Sequence, residues 1–92
     1  MYSQRSDKNS PEILAALRAA GAWCRKMDKM DGFDVLVTFQ GMNYIMEIKE
    51  PGKENDLTDA EKRVKREVED IGGGCYNIIT TVEEALKMIG RG

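Results

Sequence analysis

A chain of 92 residues is long enough for one small domain and too short for a second core. Its hydrophobic fraction of 41% and charged fraction of 33% exclude a disordered chain and predict a soluble globular domain, while a net charge of −2 argues against a protein that coats nucleic acid by bulk positive charge. With no histidine and only two cysteines, a Ser-His-Asp triad, a Cys-His pair and a Cys/His zinc site on one chain are excluded.

In chain order, residues 1–9 are polar and read as a flexible start without the apolar region of a secretory signal. No run approaches the ~20 apolar residues of a membrane span, so the expectation is a cytoplasmic protein. Ser10 suits an N-cap and Pro11 the first helical position. Ile13, Leu14, Leu17 and Ala20 then recur at helical spacing up to Gly21. Ala22 to Met27 reads as a short extended stretch and Asp28 to Gly32 as a turn. Two strands follow, Phe33 to Phe39 and Asn43 to Lys49, with Gln40-Gly41 between them as a hairpin turn. After a loop marked by Pro51, Gly52 and Asn55, Thr58 and Glu61 form a capping box. The helix they open carries a narrow stripe of Ala60, Val64, Val68 and Ile71 and ends at Gly72-Gly73-Gly74. Cys75 to Ile79 makes a last strand, and Thr81 with Glu84 caps a short helix that stops at Gly90. The order is α, β, β, β, α, β, α, with no internal repeat. Cys24 and Cys75, far apart in the chain, read as small buried apolar groups.

The hairpin register carries the chemistry. If Gln40 and Gly41 are the two loop residues, cross-strand partners have numbers summing to 81, and Asp34 falls opposite Glu47. Directly opposed side chains have Cβ atoms about 4.5 to 5.5 Å apart, where like charges repel. A divalent cation removes the conflict, since hard oxygen ligands on adjacent strands can share one Mg²⁺ while water completes its shell. Lys49 is two residues beyond Glu47 on the same face, and its opposite number, Gly32, leaves space. Ile45, Met46 and Ile48 are apolar, so Glu47 and Lys49 interrupt a strand otherwise fit for burial. The competing reading is an exposed Glu/Lys ladder, and Glu-x-Lys alone is nearly worthless as a motif. With Asp34 in register, phosphodiester hydrolysis is the favoured chemistry. A metal would polarise the phosphate and lower the pKa of a bound water, and Lys49 would orient that water or stabilise developing charge.

The order helix, Asp34, Glu47-x-Lys49, helix resembles the PD-(D/E)xK nuclease superfamily. More closely, Asp7 through Ile89 resembles the standalone virus-type replication-repair nuclease (VRR-NUC) domains, often phage-encoded. The matching parts are Asn9 with Glu12, Gly32-Phe33-Asp34, Glu47-Ile48-Lys49, Leu57-Thr58 and Val82-Glu83-Glu84-Ala85-Leu86. The resemblance implies a restriction-endonuclease-like α/β fold, similar to Holliday-junction resolvases: an αβββαβ core with a mixed central sheet flanked by helices, plus a short C-terminal helix. It implies Mg²⁺ or Mn²⁺ as cofactor, a homodimer, and action on branched DNA such as Holliday junctions in DNA repair, with a replication or repair helicase as a further partner. By position it makes Asp34, Glu47 and the Ile48 carbonyl metal ligands, Lys49 the catalytic lysine, and brings Glu12 toward the metal from the first helix. Phe33 stands where the family usually has proline, and Glu61 where relatives often have glutamine.

The remaining candidates carry ordinary readings beside functional ones. Glu12 complements a helix dipole as well as it would approach a metal, and for Glu61 the capping role outweighs a supporting role behind the ligands. Lys62, Arg63, Lys65 and Arg66 form the densest basic cluster, either a solvated face paired with Glu61 and Glu69 or a phosphate contact. Arg5, Lys8 and Lys53 are weaker DNA-binding candidates on flexible segments. Trp23, Tyr44 and Tyr76 read as core or dimer interface rather than base-stacking platforms. The leading function is a metal-dependent endodeoxyribonuclease. The alternative is a non-catalytic DNA-binding or protein-interaction module on a nuclease-like fold, and a weaker third is a structural subunit of a phage or replication complex.

Overall fold

Helix α1 spans Ser10–Ala19, with Asn9 at the N-cap position and Pro11 in the first turn. These assignments come from a computed structural model that describes residues 8–91; the rest of the expected flexible start, with Arg5, lies outside the described residues. Lys8 and Asn9 belong to that expected start but are tied in. The Lys8 N–H donates to the Glu50 carboxylate at 3.4 Å, and the Asn9 amide donates to two strand-end carbonyls. Ser10 is accordingly the first helical residue rather than the cap.

Strand β1 (Trp23–Lys26) is followed by a 3₁₀ turn at Lys29–Asp31, then β2 (Val35–Phe39) and β3 (Met42–Ile48). The β2–β3 register pairs Phe39 with Met42, Val37 with Tyr44 and Val35 with Met46, as the two-residue turn requires. Both turn residues take positive φ, 50° at Gln40 and 82° at Gly41, the backbone of a type I′ hairpin. Helix α2 (Asp59–Arg66) continues into a π-helical turn, Glu67–Ile71. Strand β4 (Tyr76–Ile79) and helix α3 (Val82–Met88) complete the chain. The sheet order is β1-β2-β3-β4, antiparallel throughout except for the parallel β3–β4 pair that the α2 crossover makes. The result is an α/β domain with a mixed four-stranded sheet and three helices.

Alternation sorts the two sheet faces. Val35, Val37, Met46 and Ile48 are fully buried and form one core with Ile13, Leu14 and Leu17 of α1, Ala85 of α3, and Ile89. The opposite face carries Glu47, together with Tyr76 of β4, under α2 and the 3₁₀ turn. Gly32 sets that second layer. It has a φ of 80°, and a Cβ placed on it would collide with the Val64 side chain and lie 2.8 Å from the Ala60 carbonyl. The space expected to receive Lys49 is therefore filled by α2. The Tyr76 hydroxyl donates to the Gly32 carbonyl at 2.6 Å, fixing the turn from below.

Several expectations change. Ile71 is 83% exposed instead of closing the α2 stripe, because the π turn, with Gly72 N–H donating to the Glu67 carbonyl, shifts the helical phase by one residue. Cys24 is buried but Cys75, beside the three glycines, is exposed. Trp23 is about half exposed on the edge strand β1, while Tyr76 is buried for the hydrogen bond it makes. Glu84 does not complete a reciprocal box with Thr81: its carboxylate accepts from the N–H and hydroxyl of Thr80, although the Glu84 N–H does donate to the Thr81 hydroxyl. Among the described residues no helix is long and apolar enough to cross a membrane.

Candidate metal centre

Asp34 lies one residue before β2 begins. Its backbone N–H donates to the Met46 carbonyl at 3.1 Å, and its carbonyl accepts from Met27 N–H at 2.8 Å. Its carboxylate accepts the Ile48 N–H at 2.8 Å. The expected strand start at Phe33 is thus too early, since the side chain takes an N–H that a neighbouring strand's carbonyl would otherwise receive. Asp34 is beside Glu47 as the register requires, but at the point where β2 leaves the ladder rather than as a rung of it. The N–H and C=O of one strand residue point to the same side, so the Ile48 carbonyl is directed toward the flank where Asp34 sits.

Glu47 is 2% exposed, and its Oε1 is buried with no hydrogen-bond partner. Lys49 Nζ lies 3.4 Å from Glu47 Oε2 and 3.1 Å from Glu61 Oε1. Glu61 therefore does two things at once. It accepts the Thr58 N–H at 2.9 Å while its own N–H donates to the Thr58 hydroxyl at 3.1 Å, the capping box read from sequence, and the same Oε1 holds Lys49. The expected pairing of Glu61 along its own helix is replaced by this cross-element bond.

Burial is the first cause that drives the Glu47 carboxyl from its ordinary 4.5 up to about 9, followed by the negative charge of Asp34 and by Glu61, with Lys49 only partly opposing them. A lone proton is what neutralises this buried oxygen pair in a metal-free protein. Burial also pushes Glu61 up, but the Thr58 N–H, Glu47 and Lys49 outweigh it and hold Glu61 below the usual carboxylate range. Burial pulls Lys49 down, and the Glu61 and Glu47 carboxylates outweigh that and raise it. Tyr76 is raised by burial and then by Glu47, Glu61 and Asp34, so its hydroxyl stays a donor. By sequence Tyr76 reads as core or dimer interface, and no residue spacing reveals a hydroxyl that crosses from β4 to the turn before β2. Replacing Tyr76 by Phe is expected to lower stability by about 1 to 2 kcal/mol, the price of an unpaired buried carbonyl, and to slacken the Asp34 approach. Urea denaturation checks this, and an unchanged midpoint would refute it.

The carboxylates open into a cleft of about 450 Å³ lined also by Lys29, Met30 and Phe33, by Thr58, Asp59, Ala60 and Glu61, and by Ser10. Glu12 is exposed on α1 and is not among the lining residues. Lys62, Arg63 and Arg66 are exposed, while the half-buried Lys65 pairs with Glu69 at 2.9 Å. Lys53 and Lys8 are exposed as expected. Lys29, which sequence reading did not single out, stands at the cleft because the 3₁₀ turn brings it there.

Among the described residues no group of three or more His, Cys, Asp or Glu side chains is arranged to hold a metal. A cation here would have two carboxylates, Asp34 and Glu47, and otherwise a backbone carbonyl and water. That donor set suits Mg²⁺ or Mn²⁺, which keep several waters and use one or two carboxylates. The unpartnered, buried Glu47 Oε1 fits the same ion. Comparison of the chain with protein-family models, with curated proteins and with solved structures returned no match.

Proposed function

We propose that this protein is a Mg²⁺- or Mn²⁺-dependent endodeoxyribonuclease with a restriction-endonuclease-like fold of the VRR-NUC type. The observation that carries the reading is Glu47: a carboxylate 2% exposed, with an unpartnered Oε1, next to a second carboxylate and 3.4 Å from a lysine. A core position that only supported the fold would be served better by an apolar residue.

Asp34, Glu47 and the Ile48 carbonyl would hold the ion, which would polarise a scissile phosphate and lower the pKa of a bound water. Two backbone hydrogen bonds hold Asp34 in place and the Ile48 N–H orients its carboxylate, which reduces the reorganisation a ligand would require. Lys49 keeps its proton under the influence of Glu61 and Glu47, which suits it to stabilise negative charge developing on phosphate rather than to act as a base. Glu61 aims that ammonium. The exposed Lys62, Arg63 and Arg66 of α2, with Lys29 lining the cleft, would supply phosphate contacts that position DNA without reading its sequence. Branched DNA as substrate, a homodimer as the working form and a helicase partner belong to the same proposal and rest on the family resemblance.

Titration calorimetry with Mn²⁺, followed by incubation of the protein with labelled four-way junction, flap and duplex DNA in Mg²⁺ and in Mn²⁺, tests the reading. Binding and cleavage are expected, and Lys49→Ala should lower cleavage by about 10² to 10³-fold with the fold intact by circular dichroism. Absence of both metal binding and cleavage would overturn the proposal in favour of a binding module.

A further inference from the structure

We infer that Asn9 is a positioning residue for Lys49: its side-chain amide clamps the Lys49 carbonyl to the end of β4 and so fixes the backbone from which the Lys49 side chain reaches Glu47 and Glu61. This rests on the reading of Lys49 as the catalytic lysine. Lys49 lies one residue beyond β3, where a strand would ordinarily fray. Its N–H still reaches the Ile79 carbonyl at 3.0 Å, but its carbonyl is held by a side chain. Asn9 Nδ2 donates to the Lys49 carbonyl at 3.0 Å and to the Thr80 carbonyl at 2.7 Å. Both neighbours are carbonyl oxygens, so the amide can sit only with its nitrogen toward them.

The anchor is itself rigid. Thr80 is buried, and its N–H and hydroxyl both donate to the Glu84 carboxylate, at 2.7 and 3.0 Å. Asn9 occupies the N-cap position of α1 yet makes no side-chain capping bond, and its Oδ1 is buried with no hydrogen-bond partner. An asparagine that forgoes its capping bond and leaves an oxygen unpaired acts here through its two donor hydrogens. With both backbone groups of Lys49 engaged, the only freedom left to the residue is its side chain, which ends between Glu47 and Glu61.

Asp and Asn are about equal as N-caps, but a carboxylate cannot donate to two carbonyls. Asn9→Asp, Asn9→Ala and Asn9→Ser in the full chain therefore separate the roles. The primary readout is the ¹⁵Nζ and ¹³Cε resonances of Lys49 in labelled protein, assigned with Lys49→Arg. In Asn9→Ala and Asn9→Asp these are expected to move toward the values of an exposed lysine such as Lys62, with Asn9→Asp at least as displaced as Asn9→Ala. Asn9→Ser keeps one donor and a capping oxygen, and should fold and shift part of the way even if Asn9→Asp does not fold. In the cleavage assay kcat should fall about tenfold or more with KM little changed. A Lys49 signal unmoved in Asn9→Ala or Asn9→Ser, with only the melting temperature lowered, would overturn the inference, as would an Asn9→Asp variant indistinguishable from the parent. If the parent protein cuts no DNA, the enzymatic reading fails, and the Lys49 resonances still decide the role of Asn9.

Discussion

Replacing Glu47 by Gln is expected to do two opposite things: raise the stability of the metal-free protein at neutral pH and remove metal-dependent cleavage. The folded Glu47 carboxyl titrates near 9 against an ordinary value of 4.5, so between those values folding requires the group to take up a proton that the unfolded chain releases. Its contribution to stability is fully present below about pH 4.5 and is lost as the pH rises toward 9. At pH 7 that amounts to about 3 kcal/mol, at about 1.4 kcal/mol per pH unit. A glutamine of the same shape is neutral throughout and escapes this loss. In EDTA, urea denaturation from pH 4.5 to 8.5 should show the parent weakening with pH and Glu47→Gln nearly flat. With Mn²⁺ the order should reverse, since the ion needs the carboxylate and stabilises only the protein that binds it. Cleavage by Glu47→Gln should fall by about a thousandfold, corresponding to several kcal/mol of lost electrostatic stabilisation. A parent protein whose metal-free stability rises between pH 5 and 8 as Glu47→Gln stays flat would show that this carboxyl is ionised and satisfied without a cation.

Gly32→Ala should be among the most damaging single substitutions in the chain. Alanine at a φ of 80° is strained by about 1 to 2 kcal/mol. Here the added methyl would also meet Val64 and the backbone carbonyl of Ala60. A backbone atom cannot rotate away, so α2 must shift, adding about 1 to 3 kcal/mol. The sum, about 2 to 5 kcal/mol, is a large part of the stability of a domain this size. Gly41→Ala separates the two contributions, because Gly41 has a φ of 82° and nothing within 4 Å of its added Cβ. Denaturation of both variants should place Gly32→Ala well below Gly41→Ala. Equal losses would mean that α2 does not press on the turn. The effect reaches the site as well: α2 carries Glu61, so a displaced helix releases Lys49 and should weaken Mn²⁺ binding.

Much of the site was legible because it depends on the hairpin. A two-residue turn at Gln40 and Gly41 sets one register, and that register carries Asp34 to the flank of Glu47 whatever surrounds the hairpin. The capping box at Thr58 and Glu61 was legible for the same reason, being a bond across three residues. What could not be read there is that the capping oxygen also holds Lys49. Lys49 and Glu61 are twelve residues apart on different elements, and only the seating of α2 on Gly32 brings them together.

Glu12 and Lys29 show the same division. The family resemblance made Glu12 a candidate beside its ordinary first-turn role, but α1 leaves it exposed and places Ser10 at the cleft. Lys29 carried no local signal at all. Ile71 fitted a helical stripe by spacing, and a single π turn, which leaves no mark in apolar periodicity, exposed it.

The closeness of Asp34 to Glu47, the lysine two residues on, the order of strands and helices and the Thr58–Glu61 capping box were all determined by sequence, because each rests on contacts between near neighbours or on one tight turn. Tertiary structure alone decided the burial of Glu47, the unpartnered oxygen, the Tyr76 bond to Gly32 and the Asn9 clamp on Lys49. Those depend on where α1, α2 and β4 pack, and packing is settled by shape and buried area across the whole domain, which local spacing does not encode.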